Sequence, residues 1–285
     1  MNSILRIAAL RIATLSAAVL AVTLPQAARA QIPAELKNPK ISFAYVPPDN
    51  AKYEPIMQRL KDRQLLEKLA AFLSPMQLPH PFFLVTRECK EPNAFYNPNA
   101  WRIEICYEII EFVEKLAPQP DAPVDGFTRD EVVVGSFVGV LMHEVGHAAF
   151  DMFNVPVFGR EEDAADEMAA FIAGQFNKEV AFTVTRGFAY LWRSFGQAGG
   201  EPKEWADFAG EHGANQQRYY NVLCMGYGAD PALFKDFIDM GWLPKERAIN
   251  CGAEFQQVRA AFAKTVLPFI NQSLIKKVQE TNWLK

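Results

Sequence analysis

Histidine and cysteine are both scarce in this chain of 285 residues, with four of each, and no two cysteines form a C-x-x-C pair. A zinc site of the finger or ribbon kind, built on cysteine, is therefore not expected. Basic clusters are also missing, and the formal net charge is −4. That balance argues against nucleic acid and anionic membranes as partners. The sequence has no internal repeat, low-complexity tract or obvious linker. Apolar residues make up 50% of it, enough for a sizeable core and unlike a disordered or fibrous chain.

One uncharged apolar run stands near the start. Ile12 to Leu24 is short for a bilayer span and follows Arg6 and Arg11. Ala28-Arg29-Ala30 then supplies a small-x-small cleavage pattern. Residues 1–30 thus read as a cleavable signal peptide, cut before Gln31, with a retained anchor as the alternative. No cysteine sits at the cut, so a lipoprotein is not expected. Loss of Arg6, Arg11 and Arg29 takes Lys plus Arg from 29 to 26 against 33 acids, leaving −7. The mature chain, residues 31–285, is expected to be one domain, periplasmic or secreted, with no further transmembrane segment. No sequence pattern sets its oligomeric state.

Cys89, Cys106, Cys224 and Cys251 all follow the cut. An exported chain meets an oxidising compartment, which makes them disulfide candidates. Spacing suggests Cys89–Cys106 and Cys224–Cys251, with all three connectivities open.

Alternating patterns predict strands at Ile41–Val46, Phe82–Thr86 and Trp101–Tyr107, the last running into a helix over Ile109–Leu116. Helical spacing covers Tyr53–Phe72. Thr128-x-x-Glu131 is a capping box for a helix to about Phe153. Further helices are expected from Glu161 to about Asn177, over Thr183–Phe195, Gln216–Tyr227 and Pro231–Met240, and from Ala253 to about Glu280 with a kink at Pro268. The class is α+β: a small N-terminal sheet on a mainly helical remainder.

His143-Glu144-Val145-Gly146-His147 reads H-E-x-x-H, a pattern known for zinc peptidases. Residues four apart on a helix share a face, so the two imidazoles can converge on one ion, while Glu144 aims its carboxylate at the metal-bound water. Val132 to Met142 is strongly apolar, so the motif lies on a buried helix. Two unmetallated histidines and a glutamate there would strand polar groups. A third ligand is needed. Glu162 is the best candidate, because Asp166 lies one turn on and can accept the other ring N–H of a histidine ligand, His143 for preference. Glu161 and Asp163 fit an acidic first turn and are expected to be solvated. An oxyanion donor is sought among His212, Arg218, Tyr219 and Tyr220, with His212 taken as the catalytic candidate. His80, between prolines, reads as structural or exposed.

H-E-x-x-H followed by Glu162, Ala165 and Asp166 in an E-x-x-A-D pattern resembles the gluzincin metallopeptidases. The branch with the CaaX prenyl endopeptidases and heat-shock membrane proteases is similar, and Asn93-Ala94-Phe95-Tyr96 resembles its N-A-F-A turn. More of the chain resembles a bacterial family of exported metallopeptidases, through Cys106-Tyr107-Glu108, Glu211-His212, Gln216 to Asn221 and Leu243 to Ala248. The resemblance implies a zincin-like domain with a Zn2+ cofactor, a zinc hydrolase whose substrate it leaves open; a peptide or protein is the substrate expected. The resemblance also implies that the strand ending at Tyr107 is an edge strand above the metal helix, along which a substrate peptide can add. Rival readings are a zinc hydrolase of another amide, such as a cell-wall cross-link, and a zinc-binding protein without turnover.

Overall fold

The computed structural model describes residues 32–199, 204–281 and 283, so the signal-peptide assignment lies outside the described residues. In chain order the elements are β1 (Ile41–Tyr45), α1 (Glu54–Asp62), α2 (Leu65–Phe72), β2 (Phe82–Arg87), β3 (Ala94–Asn97), β4 (Arg102–Cys106), α3 (Tyr107–Leu116), α4 (Arg129–Met152), α5 (Glu161–Ala173), α6 (Lys178–Gly199), α7 (Asn215–Ala229), α8 (Asp236–Asp239), α9 (Lys245–Thr265) and α10 (Gln272–Glu280). The class is α+β and mainly helical, as the sequence pattern predicts.

The sheet has the order β1-β2-β4-β3. The first three strands run parallel, with Phe43, Leu84 and Ile103 in register, and β3 closes the far edge antiparallel to β4. Leu84, Ile103 and Ile105 are fully buried, and α2 covers β1 and β2 while α4 packs on β3 and β4.

The strand expected at Trp101–Tyr107 is therefore interior, not an edge. β4 pairs on both sides, and the edge belongs to the four residues Ala94–Asn97, which the sequence reading treated as a turn. Burial on both faces explains the difference. Ile103 to Cys106 are all buried, and Glu104 is tolerated there because Arg87 and Arg102 both pair with it.

Three helical expectations also shift. The Tyr53–Phe72 pattern breaks at Gln64, whose backbone is left-handed (φ 52°), giving α1 and α2. The expected helix at Pro231–Met240 shrinks to α8. The expected helix from Ala253 starts eight residues earlier, as α9, and is broken rather than kinked: Pro268 lies in a 3-10 turn, and Asn271 caps the separate α10 by accepting from Ser273 N–H. Proline has no N–H to continue a helix.

Two disulfides form, Cys89–Cys106 and Cys224–Cys251. The first tethers the end of β4 to the loop between β2 and β3, and the second ties α7 to α9.

α4 is the central helix. Thr128 caps it in a reciprocal box with Glu131. By length and composition it could cross a bilayer, yet 67% of its apolar window is buried in the fold. Its main partner is α6. A Cβ built on Gly135 would collide with Thr183 O and stand 2.8 Å from Gly187 Cα, so the two backbones touch. Ser136 Oγ donates to Gly187 O at 2.8 Å in the same contact.

Gly135→Ala sets two effects against each other. Helix propensity favours alanine by about 1 kcal/mol. Overpacking in a tight core costs about 1–3 kcal/mol, and here the colliding atom is backbone, which yields less than a side chain. Net destabilisation is expected, read as a lower urea midpoint at unchanged slope.

Candidate metal centre

The C-terminal half of α4 carries His143 and Glu144, both buried, and His147, which is partly buried. Gly146 lets α5 come close: a Cβ there would stand 3.2 Å from Ala165 Cα. That approach sets Glu162 against both imidazoles. Its Oε2 lies 3.1 Å from His143 Nε2, and its Oε1 lies 3.5 Å from His147 Nε2. The two Nε2 atoms are 3.1 Å apart.

The far side of each ring is engaged. Asp166 Oδ1 is 2.9 Å from His143 Nδ1, and Glu161 Oε1 is 2.8 Å from His147 Nδ1. A carboxylate can only accept, so each Nδ1 carries the proton. In the neutral rings both Nε2 lone pairs then face each other and the Glu162 carboxylate. Three electron-rich groups converge there. Glu162 Oε2 is buried without a hydrogen-bond partner of proper geometry, although His143 Nε2 is 3.1 Å and His212 Nε2 2.8 Å away.

Such a cluster holds either protons or a cation. In the proton case, burial pushes His143 down, but Asp166 and Glu162 outweigh it and raise the ring to about 9. His147 is likewise opposed by burial and raised by Glu162 and Glu161. Burial would raise Glu162, yet His143, His147 and His212 hold it far below the usual carboxylate range. A cation fits the same space. Ligands at roughly 2.0–2.1 Å around a tetrahedral ion are spaced roughly 3.3 Å apart; the two Nε2 atoms stand 3.1 Å apart, and Glu162 sets Oε2 at 3.1 Å from His143 and its other oxygen at 3.5 Å from His147. His143, His147 and Glu162 could thus hold a metal ion.

Glu144 stands beside this cluster on the β3 side. Burial raises its pKa, opposed by His143, His147 and the Tyr96 backbone amide. The cleft above has a volume of about 1100 Å³, with Asn93 to Tyr96 on one wall and Glu161, Glu162 and His212 on the other. His212 is half-exposed.

Two side chains the sequence reading placed elsewhere belong to this network. Glu161, expected to be solvated, keeps 55% of its side chain exposed but bonds His147. Asp163 pairs with Arg160 at 2.7 Å. Arg218, weighed as an oxyanion donor, is buried and commits its guanidinium to Asp166, with Nε 2.5 Å from Oδ2 and Nη2 2.8 Å from Oδ1. It also lies 3.4 Å over the Trp192 ring. Arg218 and His143 hold the Asp166 carboxyl below its usual range against burial, which would raise it. The signal for Arg218 was present only in three dimensions, since 52 residues separate it from Asp166. Tyr219 and Tyr220 line a different cavity with Asp125 and Trp242, and His80 stacks on Trp101 at 4.0 Å.

Arg218→Ala would leave Asp166 buried without its principal cation. Breaking such a pair costs about 3–5 kcal/mol, expected as a lowered urea midpoint in metal-free protein. Arg218→Lys should recover only part of this, because an ammonium cannot reproduce the two-point contact.

Residues 45–266 match the family DUF4344, described as Putative metallopeptidase. No curated protein and no solved structure matches the chain. The matched span holds both histidines, the acidic residues of α5, His212 and Arg218, and covers most of the sequence, so the chain belongs to this metallopeptidase family.

Proposed function

We propose that the chain is an exported zinc peptidase, a single domain from Gln31 onward with no later membrane span. In this reading His143, His147 and Glu162 are the metal ligands and Glu144 is the general base. The observation that carries it is the convergence of two Nε2 atoms and a buried carboxylate oxygen that lacks a hydrogen-bond partner. Two imidazoles and one carboxylate, with a position left open, are a donor set of catalytic zinc. When bound, the ion lowers the pKa of a water toward about 7 and polarises the scissile carbonyl.

The chain's own residues do the rest. Asp166 and Glu161 fix the tautomers of His143 and His147, so that both Nε2 lone pairs point inward. Glu144 takes the proton of the attacking water and delivers it to the leaving amine. Burial raises its pKa above the usual carboxylate range, which makes it a stronger base than an exposed glutamate. His212, on the cleft wall, donates to the developing oxyanion.

The substrate side rests on β3. Its pairing with β4 uses one edge, and its residues line the cleft. An extended peptide can add along the outer edge of Ala94–Asn97 and lay a carbonyl over the cluster. This favours a polypeptide, which offers several residues of extended backbone, over a cell-wall cross-link between short peptide stems. The two disulfides suit an oxidising compartment.

The test is metal content after dialysis, with wild type beside Glu162→Ala. One zinc per chain is expected in the wild type, lost or much weakened in the variant. Glu144→Gln should keep its zinc and lose about 10²–10⁴ in turnover on a peptide library; full activity with full zinc in that variant would remove the base assignment. Asp166→Asn should weaken zinc by about 10–100-fold, read by chelator competition.

A further inference from the structure

His212 stands closer to the cluster than an oxyanion donor requires. Its Nε2 is 2.8 Å from Glu162 Oε2, nearer than His143 Nε2 at 3.1 Å. The ligating atoms of His143, Glu162 and His212 all lie within 4.8 Å of one another. Glu162 Oε2, with an imidazole nitrogen on either side, still has no hydrogen-bond partner. Two rings thus crowd one carboxylate oxygen without a hydrogen bond of proper geometry, an arrangement that a shared cation would satisfy.

Resting on the reading above, we propose that His212 is a fourth ligand that closes the metal site in the substrate-free protein. The site opens when the segment bearing it withdraws. Zinc sites with four protein ligands are structural, and those with three keep a position for chemistry. This chain can form either, because the fourth ligand differs from the other three. His143 and Glu162 sit on packed helices, whereas His212 lies between Gly210 and Gly213, outside any helix or strand, with 55% of its side chain exposed.

The segment is anchored at its Gly213 end, which is buried. Gly213 rests against Asp163 and Arg160 at the start of α5, while a Cβ on Gly210 would meet nothing within 4 Å. Just upstream, Trp205 is 94% exposed and Phe208 is 56% exposed. Withdrawal would thus uncover little apolar surface that is now buried. Once free, the same imidazole is available to donate to a bound carbonyl, which reconciles the ligand role with the catalytic one.

The test compares full-length wild type, His212→Ala and His212→Cys. Zinc affinity is read by competition with a chromophoric chelator, and coordination by the visible spectrum after cobalt(II) substitution. His212→Ala is expected to bind zinc about 100-fold more weakly, the upper end of what loss of a partner merely hydrogen-bonded to a ligand costs. Its cobalt bands should weaken and shift as solvent enters the fourth position. His212→Cys should restore affinity and add a thiolate-to-cobalt charge-transfer band. Unchanged affinity and spectrum in His212→Ala, with no charge-transfer band in His212→Cys, would overturn the fourth ligand and leave the three-ligand reading intact. A wild type that takes up neither zinc nor cobalt would overturn both.

Discussion

The Asp166 carboxylate is the constraint on which the site depends. Removing a carboxylate from water costs several kcal/mol unless it is fully paired. Here Oδ1 accepts from both His143 and Arg218, and Oδ2 accepts from Arg218 again. One side chain thereby joins α4, α5 and α7, and the Arg218 guanidinium carries the link to Trp192 on α6. Four helices are fixed relative to one another by a group that tolerates no looser arrangement. The close contact of Gly146 with Ala165 serves the same end, because a larger residue at either position would hold Asp166 away from His143.

The two imidazoles of the motif are not supported alike. His143 is backed by a carboxylate that is itself buried and paired, while His147 is backed by Glu161, whose side chain keeps 55% of its surface in water. A hydrogen bond to an exposed carboxylate competes with solvent and holds a ring less firmly than one made in the interior. His143 is thus the fixed corner of the cluster. His147 and Glu162 complete it from the cleft side, where a substrate would arrive. The gradient runs further, from buried His143 to half-exposed His212, so the site grows steadily more adjustable toward its mouth.

Much of this was legible in the sequence, for reasons of periodicity. The spacing of four between His143 and His147, and again between Glu162 and Asp166, places each pair on one helical face, and the structure brings these faces together. Capping at Thr128 and Glu131 and the near-continuous apolar run before His143 marked α4. Contacts across long separations were not legible. Arg218 reaches Asp166 from a helix whose local sequence gives no sign of it. The edge strand was missed because four residues, Ala94 to Asn97, are too short to show alternation. Ile103 to Cys106 was placed at the edge by resemblance alone, and its burial on both faces marks it as interior. Gln64 broke a helix without glycine or proline to announce it.

α4 has to reconcile two demands. Its apolar run is long enough for a bilayer, where an ionisable pair such as His143 and Glu144 would need a partner inside the span. In this fold His143 finds its partners on α5 and Glu144 meets the Tyr96 backbone of β3, while the apolar residues find theirs in α6 and the sheet. A helix apolar on nearly every face is the expected solution for an element enclosed by others. The cost is close approach, met by Gly135 and Gly139 against α6 and by Gly146 against α5. The glycines that let α4 be central are thus spaced along it as the contacts demand, and the last of them lies between the two histidines. Packing and chemistry meet at that residue: the gap that admits α5 also delivers Glu162 and Asp166 to the rings.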